Sequence, residues 1–331
     1  MKGAGIVVLG ALMGGALVGV PASNARAGEA GTAAVPEPPK SNAPIMIGGP
    51  FPVEVVHDLP YVDGPDADPN KQKLDLFLPK GQTNVPVLFF IHGGAWRTGD
   101  RKLYAPLGRT FARNGVATVV ISYRLSPKVQ HPGHIEDVAR AFAWTMHNIA
   151  KYGGNPAEVF VTGQSAGGHL AALLATNEQY LAAEKLTARA IKGVIPISGI
   201  YVLREHPLLK GVLATGKEAV TSASPLQHVT GDEPPFLIIF ADNDFTTCDT
   251  MSRSFADALR AKKVPARVVE IPNRNHLSII IRMAASEADA VSQETLKFIA
   301  QHARLVLTPR RESAKNDGAA NEAVHSSIKQ D

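Results

Sequence analysis

The sequence predicts an α/β fold in which a doubly wound, mostly parallel sheet carries helices on both of its faces. Short apolar segments of strand length alternate along the chain with longer segments in which apolar residues recur at helical spacing. Val85–Ile91 is an almost continuous apolar run, which is typical of a strand buried on both faces of a parallel sheet. The alternation indicates a single domain over residues 52–304, roughly 250 residues long.

The individual elements follow from apolar runs and from the Gly, Pro, Asn and Asp residues that separate them. The predicted strands are Val53–His57, Lys73–Leu78, Val85–Ile91, Val116–Ser122, Val159–Val161, Ile191–Ser198, Pro235–Phe240 and Ala266–Ile271. The predicted helices are Leu103–Asn114, Ile135–Ile149, Leu170–Ala175, Ser252–Lys262 and Glu287–His302. Residues 201–223 are irregular, and we expect them to form a small cap over the functional site.

Residues 1–27 have the features of a secretory signal peptide. Lys2 supplies a positive charge, Ile6–Val20 is an apolar run rich in Gly and Ala, and Ala25-Arg26-Ala27 fits a cleavage site after Ala27. We therefore expect a secreted or periplasmic protein without stable membrane insertion after cleavage. An uncleaved N-terminal membrane anchor is the alternative, although the run is short and glycine-rich for a membrane span.

Composition limits the remaining possibilities for the chain. Residues 28–51 and 305–331 show no periodicity, and we expect a disordered linker and a disordered tail. The net charge is only +4 and the basic residues are scattered, so no nucleic-acid partner is predicted. Cys248 is the only cysteine, which excludes an intramolecular disulfide. No His or Cys cluster has metal-ligand spacing, so neither a metal nor another cofactor is predicted.

A G-x-S-x-G pattern lies between a predicted strand and a predicted helix. Val159–Val161 precedes Gly163-Gln164-Ser165-Ala166-Gly167, and Leu170–Ala175 follows it. In a nucleophile elbow this arrangement raises a serine hydroxyl above the sheet, and the flanking glycines let strand and helix pass closely. The pattern alone also fits an ordinary strand–turn–helix junction, because small residues are common in turns. Ser165 is the candidate nucleophile.

A serine nucleophile needs a base and an orienting carboxylate, which on this architecture follow it in the order acid, then histidine. Asp242 and Asp244 follow the predicted strand Pro235–Phe240, and His276 follows the predicted strand Ala266–Ile271. Parallel strands present such residues at one edge of the sheet. We prefer Asp244 because it lies further beyond the strand, and His276 because it is the histidine at the end of a late strand.

The attacked carbonyl oxygen also needs hydrogen-bond donors once it becomes negatively charged. His92-Gly93-Gly94-Ala95-Trp96 comes directly after a predicted buried strand. We predict an oxyanion hole formed by the backbone N–H groups of Gly93, Gly94 and Ala166, since the glycines allow a close approach and Ala166 is next to the candidate nucleophile. A glycine pair after a strand is often only a turn.

Together these motifs resemble the α/β-hydrolase fold, in particular the esterase and lipase group with an H-G-G-x-W oxyanion motif, and within it the carboxylesterase and feruloyl-esterase-like branch called BD-FAE. The similarity runs from about Leu74 to Ile299. Its specific motifs are His92–Trp96, Tyr123-Arg124-Leu125, Gly163–Gly168, Ser224-Pro225-Leu226, Asp244 and His276. Where the family usually has His-Gly before the acid, this chain has Phe240-Ala241. Where the family often has Val-Pro after the acid, this chain has Phe245-Thr246-Thr247. These differences bear on substrate preference.

The resemblance implies Ser165 as nucleophile, Asp244 as orienting acid and His276 as base. The expected function is hydrolysis of small acyl or aryl carboxylic esters through an acyl-enzyme, with a small-molecule ester as partner. Trp96 and Tyr201 are candidate substrate-pocket residues, with plain packing as the alternative. An aryl formamidase or other amidase, a peptidase on the same fold, and a non-catalytic binding module remain open. The sequence predicts no particular oligomeric state.

Overall fold

The computed structural model of the chain describes residues 46–303 and 305–307. Its strands are β1 (Met46–Ile47), β2 (Val53–Pro60), β3 (Lys73–Pro79), β4 (Val85–Ile91), β5 (Ala117–Ile121), β6 (Gly154–Gln164), β7 (Gly193–Ile197), β8 (Phe236–Asn243), β9 (Ala266–Asn275) and β10 (Val306–Leu307). Its α-helices are α1 (Ala105–Arg113), α2 (Gly133–Asn148), α3 (Ala166–Thr176), α4 (Glu178–Ala183), α5 (Lys217–Ser222), α6 (Cys248–Ala261), α7 (Ser278–Ala285) and α8 (Ala290–Ala303).

Eight strands form the main sheet in the order β2-β3-β5-β4-β6-β7-β8-β9. The two pairings β2–β3 and β3–β5 are antiparallel, and every later pairing is parallel. The predicted doubly wound, mostly parallel sheet is therefore confirmed. The strand β6 lies at the centre, between β4 and β7, with Ile91 opposite Gly163 and Gln164 opposite Ile197.

Both faces of the sheet are covered by helices, as continuous apolar strands require. In β4 the side chains of Phe89 and Ile91 join one buried cluster, which also holds residues of α2, α3 and α6. The side chains of Leu88 and Phe90 point to the other face and pack with α1, α7 and α8. The alternation along a single strand thus divides the core into two apolar layers.

Several elements differ in extent from the predicted ones. The strands β8 and β9 continue past Phe240 and Ile271, because their polar ends pair with each other at Asn243 and Asn275. The helix α7 was not predicted, since three consecutive isoleucines at its start obscure helical periodicity; in the structure Ile279 and Ile280 are buried and Ile281 is exposed.

The ends of the described chain are also more regular than predicted. Met46–Ile47 and Val306–Leu307 pair in parallel, although they fall in the segments assigned to the disordered linker and tail. The backbone N–H groups of Gly48 and Phe51 donate to carbonyls at the end of α1, which holds this entry segment against the domain. The predicted signal peptide, linker residues 28–45 and tail residues 308–331 lie outside the described residues. Within the described part, no helix is both long and apolar enough to cross a bilayer.

A buried ion network fixes the loop that follows β5. The carboxylate of Asp137, fully buried in α2, accepts from Arg124 Nε and Nη2 at 2.8 Å each and from Gln72 Nε2 at 2.8 Å. A bidentate guanidinium–carboxylate pair has a defined geometry, so it orients the backbone that carries it. Two residues further along, the Ser126 N–H donates to the Trp96 carbonyl at 2.8 Å. The loops after β4 and β5 are therefore joined at the carboxyl edge of the sheet.

Candidate active site

The candidate site is built around the sharp turn at Ser165. The strand β6 ends at Gln164 and α3 begins at Ala166, so Ser165 alone makes the reversal, with φ 58° and ψ −119°. A Cβ atom added at Gly163 would lie 2.4 Å from the Gly167 carbonyl oxygen, and one at Gly167 would lie 2.0 Å from the Ile91 carbonyl oxygen. Only glycine fits at both positions, and its absence of a side chain lets α3 pass close to β4 and β6.

Three side chains from the ends of three strands meet in a continuous hydrogen-bonded chain. The Ser165 Oγ lies 2.9 Å from His276 Nε2, and His276 Nδ1 lies 2.7 Å from Asp244 Oδ1. Because an ionised carboxylate can only accept, Nδ1 carries the proton and Nε2 of the neutral ring is free to accept from the serine hydroxyl. The structure thus brings together Ser165, His276 and Asp244, the three residues predicted for nucleophile, base and orienting acid.

The Asp244 carboxylate is held ionised by its surroundings. Burial raises the pKa of this carboxyl. The hydrogen bond and charge of His276 and the hydrogen bond from the Ser198 hydroxyl together lower it by more, so the net pKa lies below the ordinary value. The Ser198 Oγ donates to Oδ2 at 2.5 Å, and the backbone N–H groups of Ala241 and Phe245 donate at 3.1 and 2.9 Å. The carboxylate is therefore fixed in position by groups from two strands.

The alternative acid, Asp242, has a different role. Its exposed carboxylate accepts from the backbone N–H groups of Asn273 and Arg274 at 2.8 and 3.0 Å. It therefore joins the ends of β8 and β9, next to the turn that presents His276. Of the two candidate carboxylates, the one that contacts the imidazole is Asp244.

Two further residues contact the hydrogen-bonded chain. Ser198, which binds Asp244, was counted only as the end of a predicted strand; a small polar residue directly after a buried parallel strand was the signal available in the sequence. Gln164, the residue before the nucleophile, donates from its Nε2 to the His276 carbonyl at 2.9 Å. These contacts hold the backbone of His276 and the carboxylate of Asp244, so neither residue is positioned by a single hydrogen bond.

The loop His92–Gly99 that follows β4, here called the β4 loop, lies against the nucleophile. A Cβ atom added at Gly93 would lie 3.3 Å from Ser165 Cβ, so the Gly93 backbone approaches the serine closely. Gly94 has φ 117°, a conformation that strongly favours glycine. The N–H of Ala166 belongs to the first turn of α3 and has no partner within that helix. The oxyanion assignment of Gly93, Gly94 and Ala166 stays a prediction.

Aromatic rings pack against the first residue of the β4 loop, His92. The imidazole of His92 is fully buried and stacks on Tyr123 with ring centroids 4.4 Å apart, while the Tyr123 hydroxyl donates to the His92 carbonyl at 3.1 Å. Burial lowers the pKa of His92 to about 4, and its Nδ1 lies 2.8 Å from the Gly93 carbonyl oxygen. The histidine of the H-G-G-x-W motif therefore acts as a neutral support for the loop.

The two predicted pocket residues lie in different surroundings. The indole Nε1 of Trp96 donates to His169 Nδ1 at 3.3 Å, and the two rings meet edge to face. Tyr201 is fully buried, and its ring stacks on Phe255 with centroids 4.4 Å apart. Tyr201 thus contributes to the core beneath the site. The assignment of both residues to a substrate pocket stays a prediction.

Residues 201–223, which we expected to form a cap, contain α5 and bury several apolar side chains. Leu203, Val212 and Leu213 are each less than 9% exposed and belong to the same apolar layer as α2 and α3. The segment is tied to the rest of the domain at Val212, whose carbonyl accepts from the His131 N–H at 2.8 Å, and at Ala223, whose carbonyl accepts from His169 Nε2 at 2.7 Å. It is thus anchored next to the nucleophile helix.

Cys248 begins α6 and is buried, and burial raises the pKa of its thiol well above the ordinary value. A buried, protonated thiol is a poor nucleophile, so the geometry gives it no catalytic role. Over residues 46–303 and 305–307, no group of three or more His, Cys, Asp and Glu side chains is placed to hold a metal ion.

The chain is similar in sequence to known proteins. The BD-FAE family model matches residues 74–259. Among curated proteins, the probable carboxylic ester hydrolase LipM of Mycobacterium tuberculosis (strain ATCC 25618 / H37Rv) is 33% identical over 236 residues, which are 66% of this chain and 54% of LipM. Esterase LipQ of the same organism is 32% identical over 271 residues, covering 71% of this chain and 64% of LipQ. The chain thus aligns with 54% and 64% of the length of these two relatives.

Solved structures show the same architecture. Esterase B from Lactobacillus rhamnosis (HN001) superposes with a TM-score of 0.65 at 25% identity, over 77% of this chain and 87% of that one. An esterase from Pyrobaculum calidifontis superposes with a TM-score of 0.63 at 22% identity, again over 77% of this chain and 87% of that one. Both similarities support the fold described above.

Three buried histidines, His92, His134 and His169, should make the folded protein less stable in mild acid. Burial lowers the pKa of His92 and His134 to about 4 and that of His169 to about 3, whereas in the unfolded chain each regains a pKa near 6.5. Between these values the unfolded chain binds more protons, so the free energy of unfolding should fall as pH falls below 6.5. The slope should be about 1.4 kcal/mol per pH unit for each histidine.

Urea unfolding at pH 7.5, 6.5, 5.5 and 5.0 measures this slope. The matched variant is His134→Gln, which retains an amide able to bond the Ser126 hydroxyl that His134 contacts at 3.0 Å. The difference in stability between wild type and variant should narrow as pH falls from 6.5 to 5.0. A difference that is constant over this range would contradict the assignment of His134 as neutral.

Proposed function

The chain belongs to the BD-FAE family and has the α/β-hydrolase fold, and from this we propose that it is a serine hydrolase that cleaves small acyl or aryl carboxylic esters through an acyl-enzyme. The observation that carries the proposal is the chain of contacts from Ser165 Oγ to His276 at 2.9 Å and from His276 to Asp244 at 2.7 Å. The names of the relatives support it, since LipM is described as a probable carboxylic ester hydrolase and LipQ as an esterase.

In the acylation step the Ser165 oxygen attacks the ester carbonyl carbon while its proton passes to His276 Nε2. The carbonyl electron pair moves to the oxygen, which becomes negatively charged and is bound by backbone N–H groups of the β4 loop and of Ala166. The tetrahedral intermediate collapses by breaking the bond to the alcohol oxygen. That oxygen takes the proton from Nε2, and the acyl group stays on Ser165.

Deacylation repeats these steps with water. His276 Nε2 removes a proton from the water molecule, whose oxygen attacks the acyl carbon, and the proton then returns to the Ser165 oxygen as the carboxylic acid leaves. Throughout both steps, the ionised Asp244 stabilises the positive charge that appears on the imidazole. The four hydrogen bonds to this carboxylate keep it in place, so little reorganisation is needed when the charge develops.

Hydrolysis of a panel of p-nitrophenyl esters from acetyl to dodecanoyl, with an aryl formamide beside it, tests the proposal. We expect turnover of the shorter esters by the wild type and a fall in kcat of roughly 10⁴-fold or more in Ser165→Ala. The acyl length that gives the highest kcat/KM will report the depth of the pocket. Ester turnover that survives Ser165→Ala would refute the mechanism, and turnover of the formamide alone would favour amide hydrolysis.

The two neighbouring aspartates allow a matched test of the orienting acid. Asp244→Asn should lower kcat by about 10³- to 10⁴-fold, because the amide can donate to Nδ1 and so favours the wrong imidazole tautomer. Asp242→Asn should change kcat by less than about 3-fold, since the Asp242 carboxylate is exposed and binds the backbone at Asn273 and Arg274. Steady-state kinetics of both variants decide the assignment. Equal losses would show that Asp244 is not the acid.

We also propose that the protein acts outside the cytosol, as a secreted or periplasmic enzyme. The support is the apolar run Ile6–Val20 followed by Ala25-Arg26-Ala27. Sequencing the N-terminus of the protein from the culture medium or a periplasmic extract should give Gly28 as the first residue. A membrane-bound protein that still begins at Met1 would indicate the N-terminal anchor instead.

A further inference from the structure

The β4 loop holds an unusual backbone conformation beside the nucleophile. Ala95 and Trp96 have φ values of 52° and 57°, directly after Gly94 at 117°. Two consecutive non-glycine residues in the left-handed region cost about 1–3 kcal/mol each, and they persist only where the surroundings hold them there. The strain therefore needs an anchor. The conformation of the β4 loop also matters for the reaction, because the loop carries backbone N–H groups that we predict to bind the oxyanion.

The largest side chain in the loop, Trp96, provides that anchor through His169. The indole is 3% exposed, and its Nε1 donates to His169 Nδ1 at 3.3 Å. On its other side the imidazole Nε2 donates to the Ala223 carbonyl at 2.7 Å. His169 lies one helical turn after the nucleophile, and its backbone N–H donates to the Ser165 carbonyl at 2.9 Å. One side chain thus connects the β4 loop, the nucleophile helix and the end of the 201–223 segment.

The two hydrogen bonds define a single protonation state of this imidazole. Because Nδ1 accepts from the indole, the ring proton must be on Nε2, where it meets the Ala223 carbonyl. A proton on Nδ1 would face the indole N–H and break the first contact. Burial lowers the pKa of His169 to about 3, so the neutral ring is retained in the working pH range. His169 therefore takes no part in proton transfer, and its two hydrogen bonds require one tautomer and one ring orientation.

We propose that His169 is a positioning residue that holds the β4 loop in its reactive shape by accepting a hydrogen bond from Trp96, an inference that rests on the ester-hydrolase function proposed above. The hydrogen bonds of the His169 ring go to Trp96 and to the Ala223 carbonyl, and not to a side chain of the triad. The effect of His169 on the reaction is transmitted through the loop backbone, where a shift of about 1 Å in an oxyanion donor can lower the rate by about 100-fold. Weaker stabilisation of the transition state, with ground-state binding retained, is the expected signature.

The experiment separates the hydrogen bond at His169 Nδ1 from the hydrogen bond at His169 Nε2. His169→Asn places an amide oxygen near the position of Nδ1 and so retains an acceptor for Trp96. His169→Gln retains a donor near the position of Nε2 but has no acceptor near Nδ1. Trp96→Phe removes the donor itself. The other tryptophan, Trp144, lies on α2 and is partly buried beside Tyr152. Trp144→Phe is therefore the matched control for loss of an indole.

The measurement is kcat and KM on the p-nitrophenyl ester that the wild type cleaves fastest, with folding of each variant checked by near-UV circular dichroism. We expect Trp96→Phe and His169→Gln to lower kcat by about 10- to 100-fold with KM within about 2-fold of wild type. His169→Asn should recover most of this loss, and Trp144→Phe should resemble wild type. If one variant does not fold, the remaining variants still test the acceptor.

Three outcomes overturn the inference while leaving the proposed function intact. They are a kcat of Trp96→Phe equal to that of Trp144→Phe, a kcat of His169→Asn as low as that of His169→Gln, and a rise in KM with kcat unchanged. The last outcome would make Trp96 a binding residue. A folded wild type without activity on any ester would instead overturn the proposed function, and this inference with it.

Discussion

The reversal of the chain at Ser165 is the constraint on which the rest of the site depends. A serine at φ 58° and ψ −119° is a strained residue, and such strain costs about 1–3 kcal/mol, which the surrounding structure must offset. The central position of β6 supplies the restraint, because its neighbours β4 and β7 pair with it up to Gly163 and Gln164. The Ser165 N–H also donates to the Ile197 carbonyl at 2.9 Å. The nucleophile is thus held by the sheet itself.

The same constraint is repeated along the carboxyl edge of the sheet. Within the described residues, non-glycine residues with positive φ follow β4 at Ala95 and Trp96, β6 at Ser165, β7 at Ser198 and β8 at Thr247. Each of these turns carries a group of the site or is next to one. Strain of this kind persists only where packing over-determines it, and the two apolar layers on either side of the sheet provide that packing. The buried core therefore stabilises a geometry that the local sequence disfavours.

Much of this arrangement could be predicted because its signals are local. The continuous apolar run of β4 indicates burial on both faces, and the glycines at 163 and 167 are required by contacts with neighbouring backbone. The order of Ser165, Asp244 and His276 follows from strand ends alone. Tertiary pairing was the part that local signals could not supply. The polar ends of β8 and β9 become strand only because Asn243 and Asn275 pair across the edge.

The roles of individual polar residues depend still more on tertiary contacts. Asp242 and Asp244 are two residues apart and chemically identical, yet one binds the backbone at Asn273 and Arg274 while the other binds His276. The position of Asp244 further beyond the strand favours it as the acid, but its contact with the imidazole is visible only in the folded structure. The contact between Ser198 and Asp244 is equally hidden, since 46 positions separate the two residues in the chain.

Histidine roles in this chain are determined by the partner on each ring nitrogen. His57 also has a carboxylate on Nδ1, that of Asp75 at 3.0 Å, but its side chain is 54% exposed and lies at the antiparallel end of the sheet. His169 has an indole donor on Nδ1 and a carbonyl on Nε2, an arrangement that holds it neutral. His276 combines a carboxylate on one nitrogen with a serine hydroxyl on the other. A base needs both partners, because the carboxylate stabilises the charge that the hydroxyl proton creates.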